Sequence, residues 1–147
     1  MGIIVTTVWA GMKMKGGIIL PKGWRNFTYV KSMVIPDRNS GLYGFHDIFV
    51  NGKGLKALKS GGHYPDGTVF VGVFYDVATE KDGSMQQGNK LFTVVMRKNA
   101  IAQDTGGWQY GAFDPEGKLL EKDYKKECYE CHTAAKEGDF IFSKFVD

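Results

Sequence analysis

Cys128, Cys131 and His132 carry the chemistry most directly legible in this chain. They stand in the run Cys128-Tyr129-Glu130-Cys131-His132, and the two cysteines are the only two in the sequence. A C-x-x-C-H run has the spacing at which a c-type haem is attached. Each thiol can add to one vinyl group of the porphyrin, giving two thioether bonds. The histidine beside the second cysteine then supplies an axial nitrogen to the iron. The run points to one covalently held haem c per chain, with His132 as the metal ligand. Other uses of two cysteines fit less well. A structural zinc site needs four ligands, and only His46 and His63 remain, far away in sequence. A thioredoxin-like dithiol lies between strand and helix in a βαβ pattern, and no such pattern precedes this run. A disulfide between residues so close together would be strained and would close almost no loop.

The elements that position these groups are expected to be mostly strands. The 147 residues include 20 glycines, and aromatics make up 14% of the chain. Glycine with aromatic and β-branched residues favours strands joined by tight turns. The length suits a single domain spanning 1–147, large enough for a core without disulfides. The formal charge is +3, and haem propionates would add about two negative charges, so no field for nucleic acid is implied. No stretch approaches the roughly 20 apolar residues of a membrane span. The apolar opening Gly2-Ile3-Ile4-Val5-Thr6-Thr7-Val8-Trp9-Ala10-Gly11 lacks a basic n-region. It reads as a leader remnant, an added start or a first strand. Covalent haem attachment takes place outside the bacterial cytoplasm, so a periplasmic, mature form is expected.

Along the chain, Pro21-Lys22-Gly23 is a break, followed through Ile35 by a short turn or helix and a strand. Residues 42–51 alternate as a strand, with Gly44, His46, Ile48 and Val50 on one face. Residues 55–59 suit a short helix ended by Ser60-Gly61-Gly62, and Tyr64-Pro65-Asp66-Gly67 is a turn. Residues 68–78 form the clearest strand, with Val69, Val71, Val73 and Tyr75 on one face and Phe70, Gly72 and Phe74 on the other. Both faces are apolar, which predicts a central strand. Residues 81–88 read as a polar loop, 91–96 and 108–113 as further strands. Residues 120–136 read as a helix carrying the haem motif and broken at Gly138. The expected class is therefore mainly β (α+β): an antiparallel sheet with a few short helices and a haem-bearing helix near the C-terminus.

With these landmarks in order, the chain resembles the cytochrome P-460 / cytochrome c-prime-beta family from about Lys15 to Phe145. The fragments that carry the resemblance are Leu20-Pro21-Lys22-Gly23-Trp24-Arg25-Asn26-Phe27, Gly44-Phe45-His46-Asp47-Ile48-Phe49-Val50-Asn51, Tyr64-Pro65-Asp66-Gly67-Thr68-Val69 and Gly106-Gly107-Trp108. The haem motif follows, and then Asp139-Phe140-Ile141-Phe142-Ser143-Lys144-Phe145. The resemblance implies a mainly β homodimer with a five-coordinate haem c, His132 on its proximal side, and a periplasmic home. Hydroxylamine-oxidising P-460 members carry a lysine cross-linked to the porphyrin, on the strand after the Asp-Gly turn, and an acidic distal residue. The lysine position pairs with Gly72 here and the acid with a place near Phe92. No lysine lies in 68–78, so the resemblance favours the c-prime-beta branch, whose distal phenylalanines cap a gas-binding iron. Phe70, Gly72, Phe74 and Phe92 are then expected to line the distal pocket, with nitric oxide and carbon monoxide as ligands.

Several side chains keep two readings at this stage. His46 pairs with a basic residue near the distal pocket of P-460 members, and could serve as an acid–base group or sixth ligand. It could equally be a strand histidine bonded to backbone. Lys144 could pair with a propionate or be solvated. His63 is expected to be exposed. Met12, Met14, Met33, Met85 and Met96 are available as a sixth ligand, which would make an electron carrier with a redox partner protein. Filling the core is the commoner role of Met. Lys31, Lys90 and Lys98 are the lysines to inspect for a porphyrin cross-link.

Overall fold

Five strands form one antiparallel sheet in which each strand pairs with its neighbour in sequence. The structure is a computed structural model that describes residues 17–146; the opening run, Met12 and Met14 lie outside the described residues. The strands are β1 (Thr28–Ile35), β2 (Gly44–Val50), β3 (Val69–Thr79), β4 (Met85–Lys98) and β5 (Trp108–Phe113). The apolar character of both faces of β3 is explained by its place in the middle of the sheet, where residues 69–74 are all buried.

Alternation divides β3 between two cores. Val69, Val71 and Val73 pack with Trp24, Val95 and Phe113 on one face. Phe70 packs with Tyr64, Met96, Trp108 and Tyr110 on the other. The second face is the one that meets the haem motif. Its cross-strand rows follow from the register. One runs Val50, Phe70, Met96, Tyr110; the next runs Lys31, Ile48, Gly72, Val94, Ala112; the third runs Met33, His46, Phe74, Phe92.

Helix α1 (Gly52–Ser60) links β2 to β3. Asn51 begins it: Oδ1 accepts from Gly54 N at 3.1 Å and from Val69 N at 3.1 Å, while Nδ2 donates to the Gly67 carbonyl at 2.9 Å. One side chain thus caps the helix and fastens the start of β3. As the Ser60-Gly61-Gly62 sequence implies, Gly61 closes the helix in a left-handed conformation.

Helix α1 begins at Gly52 and not at 55, and two further boundaries differ from the sequence reading. The polar stretch 81–88 is loop only as far as Ser84, because β4 already begins at Met85. There the pairs Val77–Gln87, Ala78–Gln86 and Thr79–Met85 extend a two-stranded ribbon. Residues 85–89 are exposed, so no apolar alternation marks them as strand. The C-terminal helical segment starts at Lys125, not at 120. Leu119 instead bridges to Phe113, and Tyr124 Oη, hydrogen-bonded to the Leu120 carbonyl, ties the approach to the segment. From 125 to 138 the chain passes through a π-helical turn (Lys125–Tyr129), an α-helical turn (Glu130–His132) and a 3₁₀ stretch (Thr133–Gly138). Residues 140–145 follow without regular structure. No helix among the described residues is long and apolar enough to cross a membrane.

Candidate functional site

The π-helical turn sets how the motif faces the sheet. Cys128 is half-buried against the core of the second face, and Cys131 is exposed; both thiols are free. Burial pushes the Cys128 thiol above its ordinary range, helped by Glu127. His132 is half-buried. Its Nδ1 lies 2.7 Å from the Phe140 carbonyl oxygen. A carbonyl can only accept, so Nδ1 carries the proton and Nε2 the free lone pair. Burial holds the imidazole below its usual pKa of 6.5, with the Phe140 bond opposing, so it is neutral at pH 7 and able to ligate. The Tyr110 ring at 5.5 Å and the Phe142 ring at 5.1 Å bound the imidazole.

The Phe140 acceptor is held by its neighbour. Asp139 and Phe140 take φ of 53° and 65°. Asp139 is buried and meets three elements. Its Oδ1 takes the Lys98 ammonium at 2.6 Å, its Oδ2 accepts from Tyr64 N at 3.0 Å, and its carbonyl accepts from Trp108 Nε1 at 2.9 Å.

Across the same face, the third row forms a stack. Phe74 lies 4.3 Å from Phe92 with rings 22° apart, and His46 lies 3.9 Å from Phe74. His46 is buried, and its Nε2 donates to the Leu42 carbonyl at 2.7 Å. The structure thus brings together His46, Phe74 and Phe92 of the expected distal residues. Gly72 lies in the adjoining row, where a Cβ would stand 2.9 Å from Val94 Cγ2 and 3.2 Å from Ile48 Cδ1. Phe70 is apart from the stack. It is buried core, edge-on to Tyr64 at 5.3 Å and tilted to Trp108 at 6.2 Å.

Residues 21–143 match the family model described as Cytochrome P460. The chain belongs to the cytochrome P460 family. Comparison with curated proteins gives no match. The sheet-rich architecture with a short helical segment near the C-terminus agrees with the expectation from sequence, and membership implies a haem cofactor.

The residues present fit that cofactor. The cytochrome offers one imidazole nitrogen and two thiols on a five-residue run, and no group of His, Cys, Asp or Glu among the described residues could hold a bare ion. That is the donor set of a macrocycle carrying its own equatorial nitrogens. Beside His132, Tyr110 Oη is buried with no hydrogen-bond partner, a polar atom suited to a bound group that offers an acceptor. Burial and the nearby Cys128 thiol keep this phenol protonated.

The remaining candidates separate by position. Lys98 is committed to Asp139. Lys90 pairs in register with Tyr75 beside an irregularity in β3–β4. Lys31 alone of the three shares the Ile48–Gly72 row. Lys144 is exposed and lines a cavity of about 540 Å³ with Leu58, Tyr64 and Ile141. Among the described residues the His132 ring bonds to Phe140 and not to Lys144. Met96 is core, Met85 is exposed on the β3–β4 hairpin, and Met33 is opposite His46. His63 is exposed, as expected. The sequence reading missed Asp139, Tyr110 and Phe142. The signal for Asp139 was present, since an acid entering an apolar run must find a partner if it is buried.

His46 makes the cytochrome pH-sensitive. Burial lowers its pKa from 6.5, against the opposing bond to Leu42. The unfolded chain therefore binds this proton more readily. The stability contribution is complete above about pH 6.5 and is lost as pH falls through the folded value. We expect Tm to fall between pH 7 and pH 5 more steeply in the wild type than in His46→Gln. Parallel profiles would exclude His46 as the source.

Proposed function

We propose that this cytochrome carries one haem c, bound through Cys128 and Cys131 with His132 Nε2 as axial ligand, and that it binds small diatomic gases, chiefly nitric oxide and also carbon monoxide. When bound, the haem supplies the iron at which a gas attaches. The observation that carries the reading is the His46–Phe74–Phe92 stack. It lies on the face that receives His132, and none of the sheet positions in its row or the adjoining one is Asp or Glu. Met96, opposite Tyr110, lies four residue steps along β4 from Phe92, a span of about 13 Å along the strand. The row between holds Ile48, Gly72, Val94 and Ala112, with the Ile48 and Val94 side chains closing over Gly72.

The chain's own contributions are then separable. Cys128 and Cys131 attach the porphyrin, and His132 donates its Nε2 lone pair. The Phe74–Phe92 stack excludes water and offers no proton donor, which disfavours polar ligands and tolerates neutral diatomics. His46, neutral and tied to Leu42, gives its Nε2 proton to backbone. Hydroxylamine oxidation must remove protons and needs a base in reach. A homodimer exported to the periplasm, with a redox partner protein to reset the iron, is part of the same proposal.

Lys31 favours one second reading, a P-460-like hydroxylamine oxidase with Lys31 bonded to the porphyrin. The test is the absorption spectrum of the reduced protein before and after carbon monoxide, with the mass of the haem peptide. A broad high-spin Soret band that shifts with the gas, and no added lysine bond, is the expected result. A strongly red-shifted Soret abolished in Lys31→Met, with hydroxylamine turnover, would put the oxidase first. A sharp low-spin spectrum indifferent to the gas would sink both and leave an electron carrier.

A further inference from the structure

We infer that Asp139 is the positioning residue of the proximal ligand: it fixes the left-handed turn that delivers the Phe140 carbonyl to His132 Nδ1. The inference rests on His132 being the axial ligand. Successive non-glycine residues at φ 53° and 65° are uncommon, and such conformations persist only where surroundings over-determine them. Here the surroundings are Lys98 at the end of β4, Trp108 at the start of β5 and the Tyr64 amide after α1, and all three bind Asp139. Beneath the turn, Gly106 (φ 66°) seats the Phe140 ring, since a Cβ there would collide with it. The peptide that carries the Phe140 carbonyl is itself held, since Ile141 N donates to the Gly138 carbonyl at 3.2 Å, and His132 meets that carbonyl.

The arrangement also decides what kind of acceptor His132 receives. A carboxylate accepting from Nδ1 would push the imidazole towards anionic character and strengthen its donation to iron. Asp139 is the nearest acid to the acceptor in sequence, but its carboxylate faces Lys98, Tyr64 and Trp108. The imidazole gets a neutral carbonyl. The ion pair on the far side of one peptide therefore sets the strength of the axial bond.

The experiment compares Asp139→Ala, Asp139→Asn and Lys98→Met as reduced holo-proteins by the iron–histidine stretching band, the rate of His132 release on adding nitric oxide, and Tm. Asp139→Ala should lower the band frequency and speed release about tenfold, the low end of losses from an outer-shell partner. Asp139→Asn should restore much of both, because Asn tolerates left-handed backbone and can still accept from Tyr64. A merely structural Asp139 would lower Tm and leave band and rate unchanged, which overturns the inference. If Asp139→Ala does not fold, Lys98→Met decides: its band must move the same way, and an unmoved band overturns the inference equally. The ¹⁵N shift of His132 Nδ1 in the haem-free chain should change in these variants too. A band that survives in His132→Gly would instead overturn the ligand assignment on which this rests.

Discussion

Replacing His132 by glycine is expected to abolish the ferrous iron–imidazole stretching band while leaving the haem on the chain. The two roles sit on different atoms. Cys128 and Cys131 would retain the porphyrin, whereas Nε2 of His132 is the nitrogen left free by the Nδ1–Phe140 bond. The variant also opens a slot of imidazole size between Tyr110 and Phe142, with the Phe140 carbonyl still presented at its inner end. Free imidazole should therefore enter and restore the band. Resonance Raman spectra of the reduced variant with and without imidazole make the check. A band unchanged in the variant means that another side chain is the ligand. Loss without rescue means that the slot collapses, and with it the claim that Tyr110 and Phe142 hold the ring in place.

The second large effect is expected at Trp108. The side chain is fully buried, touches Phe70 and Tyr64, lies under the Lys98 ammonium, and donates to the Asp139 carbonyl. Truncation of a buried Trp to Ala costs about 3–5 kcal/mol, a large share of the roughly 5–15 kcal/mol by which domains are stable. Trp108→Phe keeps most of the ring but leaves the Asp139 carbonyl without its donor, a loss of about 1–3 kcal/mol. Denaturant unfolding of the three proteins should give that order. Equal stability of Trp108→Phe and wild type would show that the indole N–H contributes nothing to holding the turn.

Much of this was legible in the sequence where one chemical requirement dominates. The C-x-x-C-H run has few other uses, and β3 needed both faces covered because both are apolar. The hairpin ribbon was illegible because its pairing is all backbone and its side chains are solvated. The late start of the helical segment depends on Leu119 bridging to Phe113 and on the Tyr124 hydroxyl, both tertiary. His46 shows the same limit. Its partner is the Leu42 carbonyl, in a turn whose path no periodicity reveals. Phe70 and Phe74 occupy the same face of one strand, and only their neighbours distinguish core from stack. Asp139 looked like one landmark among several until its three partners, drawn from 64, 98 and 108, appeared together.

The strand order β1-β2-β3-β4-β5 has a consequence for how the protein comes to be assembled. Every ladder joins strands adjacent in the chain, so the sheet can grow neighbour by neighbour, with 51–68 the longest connection to close. Such local topology favours rapid folding for a β protein. The exception is the C-terminal segment, whose Asp139 must reach back 75 residues to Tyr64. That docking needs the ends of β4 and β5 in place, because Lys98 and Trp108 supply two of its partners. Until it happens Phe140 has no fixed orientation, and the imidazole no fixed tautomer. The dependence runs one way: the docked turn needs the sheet, and the His132–Phe140 bond needs the docked turn.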